Sequence, residues 1–158
     1  FDLVGDIHSF GHDIEATWLL DRACDTLGDE ELKKQFAEMD LKISHNIQNI
    51  ALDNGALNNE RENDKIDKKR VWWVEAESVV GFINAYQHSG EKKFLESARS
   101  VWEYIKAEMI DKREGSEWYS EVSYDHKPHD WKEIVGPWKC PYHNGRMCME
   151  VISRGVDF

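Results

Sequence analysis

No run of eighteen apolar residues occurs in this sequence, so nothing in it reads as a membrane-spanning helix. Basic residues are outnumbered, 20 Lys and Arg against 31 Asp and Glu, for a formal charge of -11 at pH 7. Binding to phosphate backbones depends on the opposite balance, which argues against a nucleic-acid partner and for a neutral or cationic small molecule. Cysteine is scarce: Cys24, Cys140 and Cys148 are an odd number without the density of a disulfide framework, which points to reduced thiols and a cytoplasmic setting. Zinc signatures of the CxxC or HExxH kind are missing. His8 with His12, His126 and His129 with Asp125 and Asp130, and Cys140 with Cys148 therefore make only a thin case for a metal, and none is expected. An initiator Met is also missing. The chain opens on Phe1-Asp2-Leu3-Val4 and shows its first motif within a dozen residues, so the expectation is a piece of a longer protein.

What is present suffices for a folded unit. Hydrophobic residues make up 41% of the 158, with seven Trp among them, enough to build one core. Asp13 to Leu27 sets Ile14, Trp18, Leu19 and Ala23 at helical spacing, with Gly28 as the stop. Asp29 to about Leu52 spaces Leu32, Phe36, Met39, Ile43, Ile47 and Ile50 three or four apart among charged residues, an amphipathic, half-exposed helix. Val71 to Gln87 is apolar nearly all round, as a helix enclosed by others must be. Glu91 to Asp111 carries a single stripe, Phe94, Ala98, Val101, Trp102 and Ile105, and faces outward. Pro141 to about Ser153 is a third inner helix. Between these lie an extended start, Phe1 to Gly11, and two long polar excursions. Asp53 to Arg70 contains the turn signal Asn54-Gly55, and Lys112 to Val135 contains Glu117 to Val122, which alternates like a short strand.

Inner helices thus begin near Asp13, Val71 and Pro141, a spacing of roughly sixty residues that suits helical hairpins with elaborated loops. If the inner helices share a direction, His12, Trp72, Trp73, Trp138 and His143 gather at one end of a toroid.

The densest chemistry sits at the last of these starts, Gly136 to Glu150, where Trp138, Cys140, His143, Arg146 and Cys148 fall within fifteen residues. Taken alone, His143 reads equally well as a loop histidine satisfied by backbone, His12 as a helix-entrance residue, and the Trp72-Trp73 pair more readily as core. Against that, His12, Glu15 and Trp18 share one helical face, and Glu15 is placed to orient the His12 ring. Trp73 and Glu77, one turn apart, offer a flat apolar surface and an acceptor, as sugar sites need. Two histidines at two helix entrances suggest proton transfer. Glu15, Glu75, Glu77 and Glu121 keep a glycosidase with opposed carboxylates open.

Four motifs in order, Phe10 to Leu20, Val71 to Glu77, Trp118 to Val122 and Trp138 to Glu150, resemble the C-terminal half of the cellobiose 2-epimerase family, within the N-acylglucosamine 2-epimerase superfamily. The resemblance runs from end to end of the chain. It implies an all-α fold, an (α/α)6 barrel of six inner and six outer helices, of which residues 1–158 would be part of a single catalytic domain. It also implies reversible inversion at carbon 2 of the reducing-end sugar of a β-1,4-linked disaccharide, cellobiose to glucosyl-mannose and lactose to epilactose, with no cofactor. Carried over motif by motif, His12 and His143 are the acid/base pair, and Glu15, Trp18, Trp73, Glu77 and Trp138 line or orient the sugar site. The expected partners are the disaccharide and the N-terminal half of the same barrel, which would bring an arginine for the enediolate oxygen and a further histidine. The complete protein is expected to be monomeric. N-acylglucosamine epimerisation, mannose isomerisation, glycoside hydrolysis on the same kind of barrel and a non-enzymatic carbohydrate-binding module remain as alternatives.

Overall fold

The computed structural model describes residues 6–157, and Phe1 to Gly5 of the expected extended start lie outside the described residues. Five α-helices carry the architecture: α1 Phe10–Leu27, α2 Glu30–Ile50, α3 Trp72–Ser89, α4 Lys92–Tyr104 and α5 Tyr142–Arg154. A π-helical turn, Ile105–Met109, prolongs α4 and buries Ile105 and Met109. The fold is all-α at the level of its core, as expected.

Three helices form the inner layer. α3 packs against α1 on one side and α5 on the other, while α2 lies on α1 and α3, and α4 lies on α3. Enclosure on that many sides explains why α3 is buried almost continuously from Val74 to Ala85. The inner helices run the same way. Their first turns line one cavity, with His12, Trp73 and His143 among its walls, and their last turns line another at the opposite end, with His88, Asp21 and Arg154.

The outer helices are one-sided. On α4, Phe94, Ala98, Val101 and Ile105 are fully buried and Trp102 is half-buried against the core, the stripe its spacing predicts. On α2 the expected stripe holds only at Ile43 and Ile47, in the second half, where Ile50 is nonetheless exposed. Ile47 is buried and Ile43 packs against the core, but Leu32 and Phe36 are half-buried and Met39 is exposed. That first half runs beside the last turns of α1, where Lys33 pairs with Asp25 and Leu27 is itself exposed, so no further layer covers it. Asp40 and Ser44, not predicted as core, are buried instead. Burial, with Asp21 nearby, pushes the Asp40 carboxyl up to about 7, partly offset by His88.

Two sequence boundaries shift. α1 begins at Phe10 rather than Asp13, and among the described residues of the expected extended start Ile7–Ser9 forms strand β1. The Asp53–Arg70 excursion is not irregular: it folds into β2 Leu52–Asp53, β3 Ala56–Leu57, β4 Glu60–Glu62 and β5 Lys65–Asp67, followed by β6 Arg70–Val71. Asn54 and Gly55 make the β2–β3 turn, and β4 pairs with both β1 and β5, antiparallel throughout. The strand expected at Glu117 to Val122 shortens to β7, Glu121–Val122, which pairs with β6, and Trp118 bridges back to Ile110. Among the described residues, no helix is long and apolar enough to cross a membrane.

Candidate active site

Close packing of α1 on α3 sets the site. A Cβ on Gly11 would lie 2.6 Å from the Trp73 ring and 2.8 Å from Val74, and a Cβ on Gly81 would lie 2.5 Å from Ile14. Only hydrogen at those two positions lets the helices approach so closely. The approach brings the His12 ring to 4.6 Å from Trp73, and Trp73 lies 5.6 Å from the His143 ring, centroid to centroid. One indole thus flanks both imidazoles at the mouth of a cavity of about 920 Å³, toward the upper end of the range for small-molecule clefts.

The two histidines are held differently. His143 is 7% exposed, and its Nδ1 lies 2.6 Å from Oε1 of Glu77. A carboxylate only accepts, so Nδ1 carries the hydrogen and donates, which leaves Nε2 to exchange a proton with whatever occupies the cavity. Trp72 meets the His143 ring edge-on at 5.2 Å, and Tyr142 packs at 3.8 Å. His12 is exposed, and its Nδ1 lies 2.7 Å from the Ser9 hydroxyl. That hydroxyl precedes α1 but makes no side-chain cap; it holds the ring instead. Because a hydroxyl both donates and accepts, His12 can take either tautomer.

Glu77 is the hub beneath the cavity. It is 1% exposed, and Oε1 accepts from His143 and from Nη2 of Arg146 at 2.7 Å, while Oε2 accepts from the Trp18 indole at 2.9 Å. Nη2 of Arg146 also donates to Glu15 at 2.5 Å. Burial alone would weaken the guanidinium's hold on its proton, but the bonds to Glu77 and Glu15 outweigh that and keep it charged. Ligand atoms of Glu15, Glu77 and His143 lie within 4.8 Å of one another, a donor set of the kind that holds a divalent ion. Arg146 places its own positive charge among those donors.

Of the residues singled out from sequence, His12, Glu15, Trp73 and His143 meet at the cavity, and Trp18 and Glu77 continue the network below it. Trp138 lines the same cavity at its rim, 91% exposed. Two expectations are corrected. Glu15 does not hold the His12 ring; it pairs with Arg146, and Ser9 holds His12. Glu77 is not an acceptor on the cavity wall: it is buried behind the cavity lining, where its two oxygens take three protein donors. The other metal pairings do not converge: His8 pairs with Asp6, His126 with Glu108 and His129 with Glu121, while Cys140 and Cys148 are free thiols.

Sequence reasoning gives no site role to Tyr142, Lys139 or Arg146, although Arg146 lies in the chemically dense stretch 136–150. Burial and the Glu15 charge push the Tyr142 hydroxyl up, with Arg146 partly offsetting. Arg146 follows His143 by three residues, the spacing of one helical face, and that signal was available. Lys139 is buried, pairs with Glu117 and sets its ammonium 4.8 Å over the Trp72 ring, which no local pattern announces.

Inner and outer helix pairs, with two histidines at inner helix starts lining one cavity, define a class of helical-hairpin fold. The chain belongs to the N-acylglucosamine 2-epimerase (GlcNAc 2-epimerase) family, whose model matches residues 5–144. It is 82% identical over 157 residues to a cellobiose 2-epimerase of Ruminococcus albus, covering 99% of this chain and 40% of that one. It is 48% identical over 149 residues to a cellobiose 2-epimerase of Dictyoglomus turgidum, covering 94% and 38%. A crystal structure of a sugar epimerase from a ruminal bacterium superposes with a TM-score of 0.97 at 81% identity, covering 99% of this chain and 40% of that chain. The helices α1 to α5 are accordingly part of an (α/α)6 barrel, and the chain spans about 40% of the length of these relatives.

Proposed function

We propose that this chain forms the C-terminal part of a carbohydrate 2-epimerase that inverts carbon 2 of the reducing-end glucose of a β-1,4-linked disaccharide, cellobiose foremost. Residues 1–158 then belong to one catalytic barrel domain, completed by an N-terminal half, and the three free thiols suit a cytoplasmic enzyme. The observation that carries the reading is the pair of differently anchored imidazoles on one indole, His12 on Ser9 and His143 on Glu77. Their surroundings fit a sugar: Trp73 and Trp138 offer apolar faces to a ring, and Tyr142 and Lys139 supply donors.

The chemistry follows from the anchors. Ring opening exposes an aldehyde at carbon 1, which acidifies the hydrogen on carbon 2. One imidazole takes that proton as a general base and leaves a cis-enediolate; the other, protonated, returns a proton to the opposite face. Each must serve as base in one direction and acid in the other. His143 does so through Nε2, its imidazolium form paired with Glu77, while Arg146 balances the remaining carboxylate charge. Trp18 and Glu77 act through His143 and Arg146, while Glu15, which lines the cavity, pairs with Arg146.

The test is product analysis of the full-length protein carrying this sequence, completed if needed with the N-terminal portion of the 82% identical relative. Cellobiose should yield glucosyl-mannose and no monosaccharide. Glucose release would identify a glycosidase, and a keto sugar an isomerase; either would overturn the proposal.

A further inference from the structure

Lys139 and Asn144 stand on either side of Pro141, where α5 begins, and one carboxylate reaches both. Oε1 of Glu117 pairs with the Lys139 ammonium and Oε2 accepts from the Asn144 side chain, while Lys139 and Asn144 are themselves buried. Each partner adjoins a residue of the site. Lys139 closes a tight turn in which its amide and its carbonyl are both hydrogen-bonded to Gly136, and that turn carries the exposed Trp138. Asn144 follows His143 in the first turn of α5.

Glu117 is fixed from its own side. Its carbonyl accepts from the Asp111 amide at 2.9 Å, the Tyr119 amide donates to the Met109 carbonyl at 2.8 Å, and Trp118 bridges to Ile110, so the stretch is bound to the end of the π-helical turn. The Ser120 carbonyl accepts from the Trp72 amide at 3.1 Å, which joins the same stretch to the start of α3, where Trp73 stands. Glu117 itself does not line the cavity.

The position calls for a carboxylate. A buried ammonium without a counter-charge is costly, and the Trp72 ring offers Lys139 only a cation–π attraction. α5 has no side-chain cap and no acid in its first turn, so Glu117 brings from another segment the negative charge that a helix N-terminus favours. Without that carboxylate, Lys139 turns to water and the Trp138 turn moves with it.

We propose that Glu117 is a positioning residue of the site: through Lys139 it sets the turn that presents Trp138, and through Asn144 it sets the first turn of α5 with the His143 ring. The proposal rests on the epimerase reading and adds to it a residue that acts without touching the sugar.

The experiment measures kcat and KM for cellobiose, with melting temperatures, in the full-length protein and its Glu117→Ala, Glu117→Gln, Asn144→Ala, Trp138→Ala and Glu117→Ala/Trp138→Ala variants. Glu117→Ala should lower kcat about 10- to 10²-fold, the cost of displacing a reacting group by about 1 Å, and raise KM about 3- to 10-fold, the range of one aromatic contact. On the Trp138→Ala background the kcat loss should persist and KM should rise no further, because the indole that the turn presents is already gone. Glu117→Gln should recover most of both constants: its amide oxygen accepts from Lys139, and its amide nitrogen donates to Oδ1 of Asn144, a buried oxygen without a partner among the described residues, once the Asn144 amide turns over. Asn144→Ala cuts one arm and keeps the Lys139 pair, so it should lower kcat about 10-fold at unchanged KM, and it decides the kcat arm if Glu117→Ala does not fold. A fall in melting temperature with kcat and KM per folded molecule unchanged, additive KM losses for Glu117→Ala and Trp138→Ala, or full kcat in Asn144→Ala would each overturn the proposal and leave the epimerase reading standing. A parent protein that does not epimerise cellobiose would overturn that reading and the proposal with it.

Discussion

The two long excursions between helices, 53–70 and 112–141, make opposite uses of similar polar composition. The first is folded down. Arg70, 1% exposed, donates from Nη1 to the Asn58 side chain and from Nη2 to the Asp53 carbonyl, both at 2.7 Å, and the Leu57 amide donates to Glu75 of α3 at 3.0 Å. Its strands are thereby tied to the inner layer. The second excursion holds little regular structure beyond β7 and exposes Trp131, Val135 and Trp138, the first and last of them on the cavity. Rigid attachment of one loop leaves the other free to present aromatics to a ligand, a common division of labour around a scaffold.

This contrast can be broken most sharply at Arg70. Two hydrogen bonds from a buried charged donor, each worth about 1.5–3 kcal/mol, put the loss for Arg70→Met at about 3 kcal/mol or more. Chemical denaturation of the full-length protein should show it, while turnover per folded molecule stays close to normal. A comparable loss of turnover at unchanged stability would mean that the 53–70 loop recognises ligand too.

Trp138→Ala should do the reverse, raising KM for the disaccharide about 3- to 10-fold, the range of one aromatic contact, without moving the melting temperature. Trp102→Ala, on the half-buried stripe of α4, is its counterpart: stability should fall and KM should not. If the two variants exchanged phenotypes, the inner and outer assignments would be wrong.

A smaller effect concerns pH. Burial pushes the Glu75 carboxyl up to about 8 from an ordinary 4.5, with the Leu57 amide and Arg70 only partly opposing. Between those values the unfolded chain has released the proton and the folded chain retains it, so stability falls as pH rises from about 5 to about 8. Glu75→Gln cannot titrate. Denaturation at pH 5, 6.5 and 8 should therefore show the parent protein losing stability relative to this variant, and a constant difference would contradict the buried, protonated state. Asp40 has the same sign up to about 7 in both proteins and cancels from the comparison.

Helix identity, the inner and outer alternation and the gathering of His12, Trp73 and His143 were legible because apolar spacing reports burial directly. The first turn of α1 was not. Gly11 reads as a helix breaker from local propensity, but its lack of a side chain is required where Trp73 presses against it, and tertiary packing overrides propensity there. The strands within 53–70 were hidden for a related reason: their two- and three-residue segments are too short to show alternation, and the residue that fixes them is a buried arginine. Within the site, His12 and His143 could be picked out by position and motif. Their anchors could not, since Ser9 with His12 is a local contact of an unforeseen first turn and Glu77 with His143 spans 66 residues.

His12 and His143 are proposed to serve opposite faces of one carbon, and deuterium tests that most directly. The full-length protein and its His12→Asn and His143→Asn variants would be incubated with cellobiose in deuterated water, with deuterium entry at carbon 2 followed separately from epimer formation. Loss of either imidazole should lower epimer formation by at least about 10²- to 10⁴-fold, while one variant can retain exchange on its own face. Near-normal epimerisation by either variant would contradict the account.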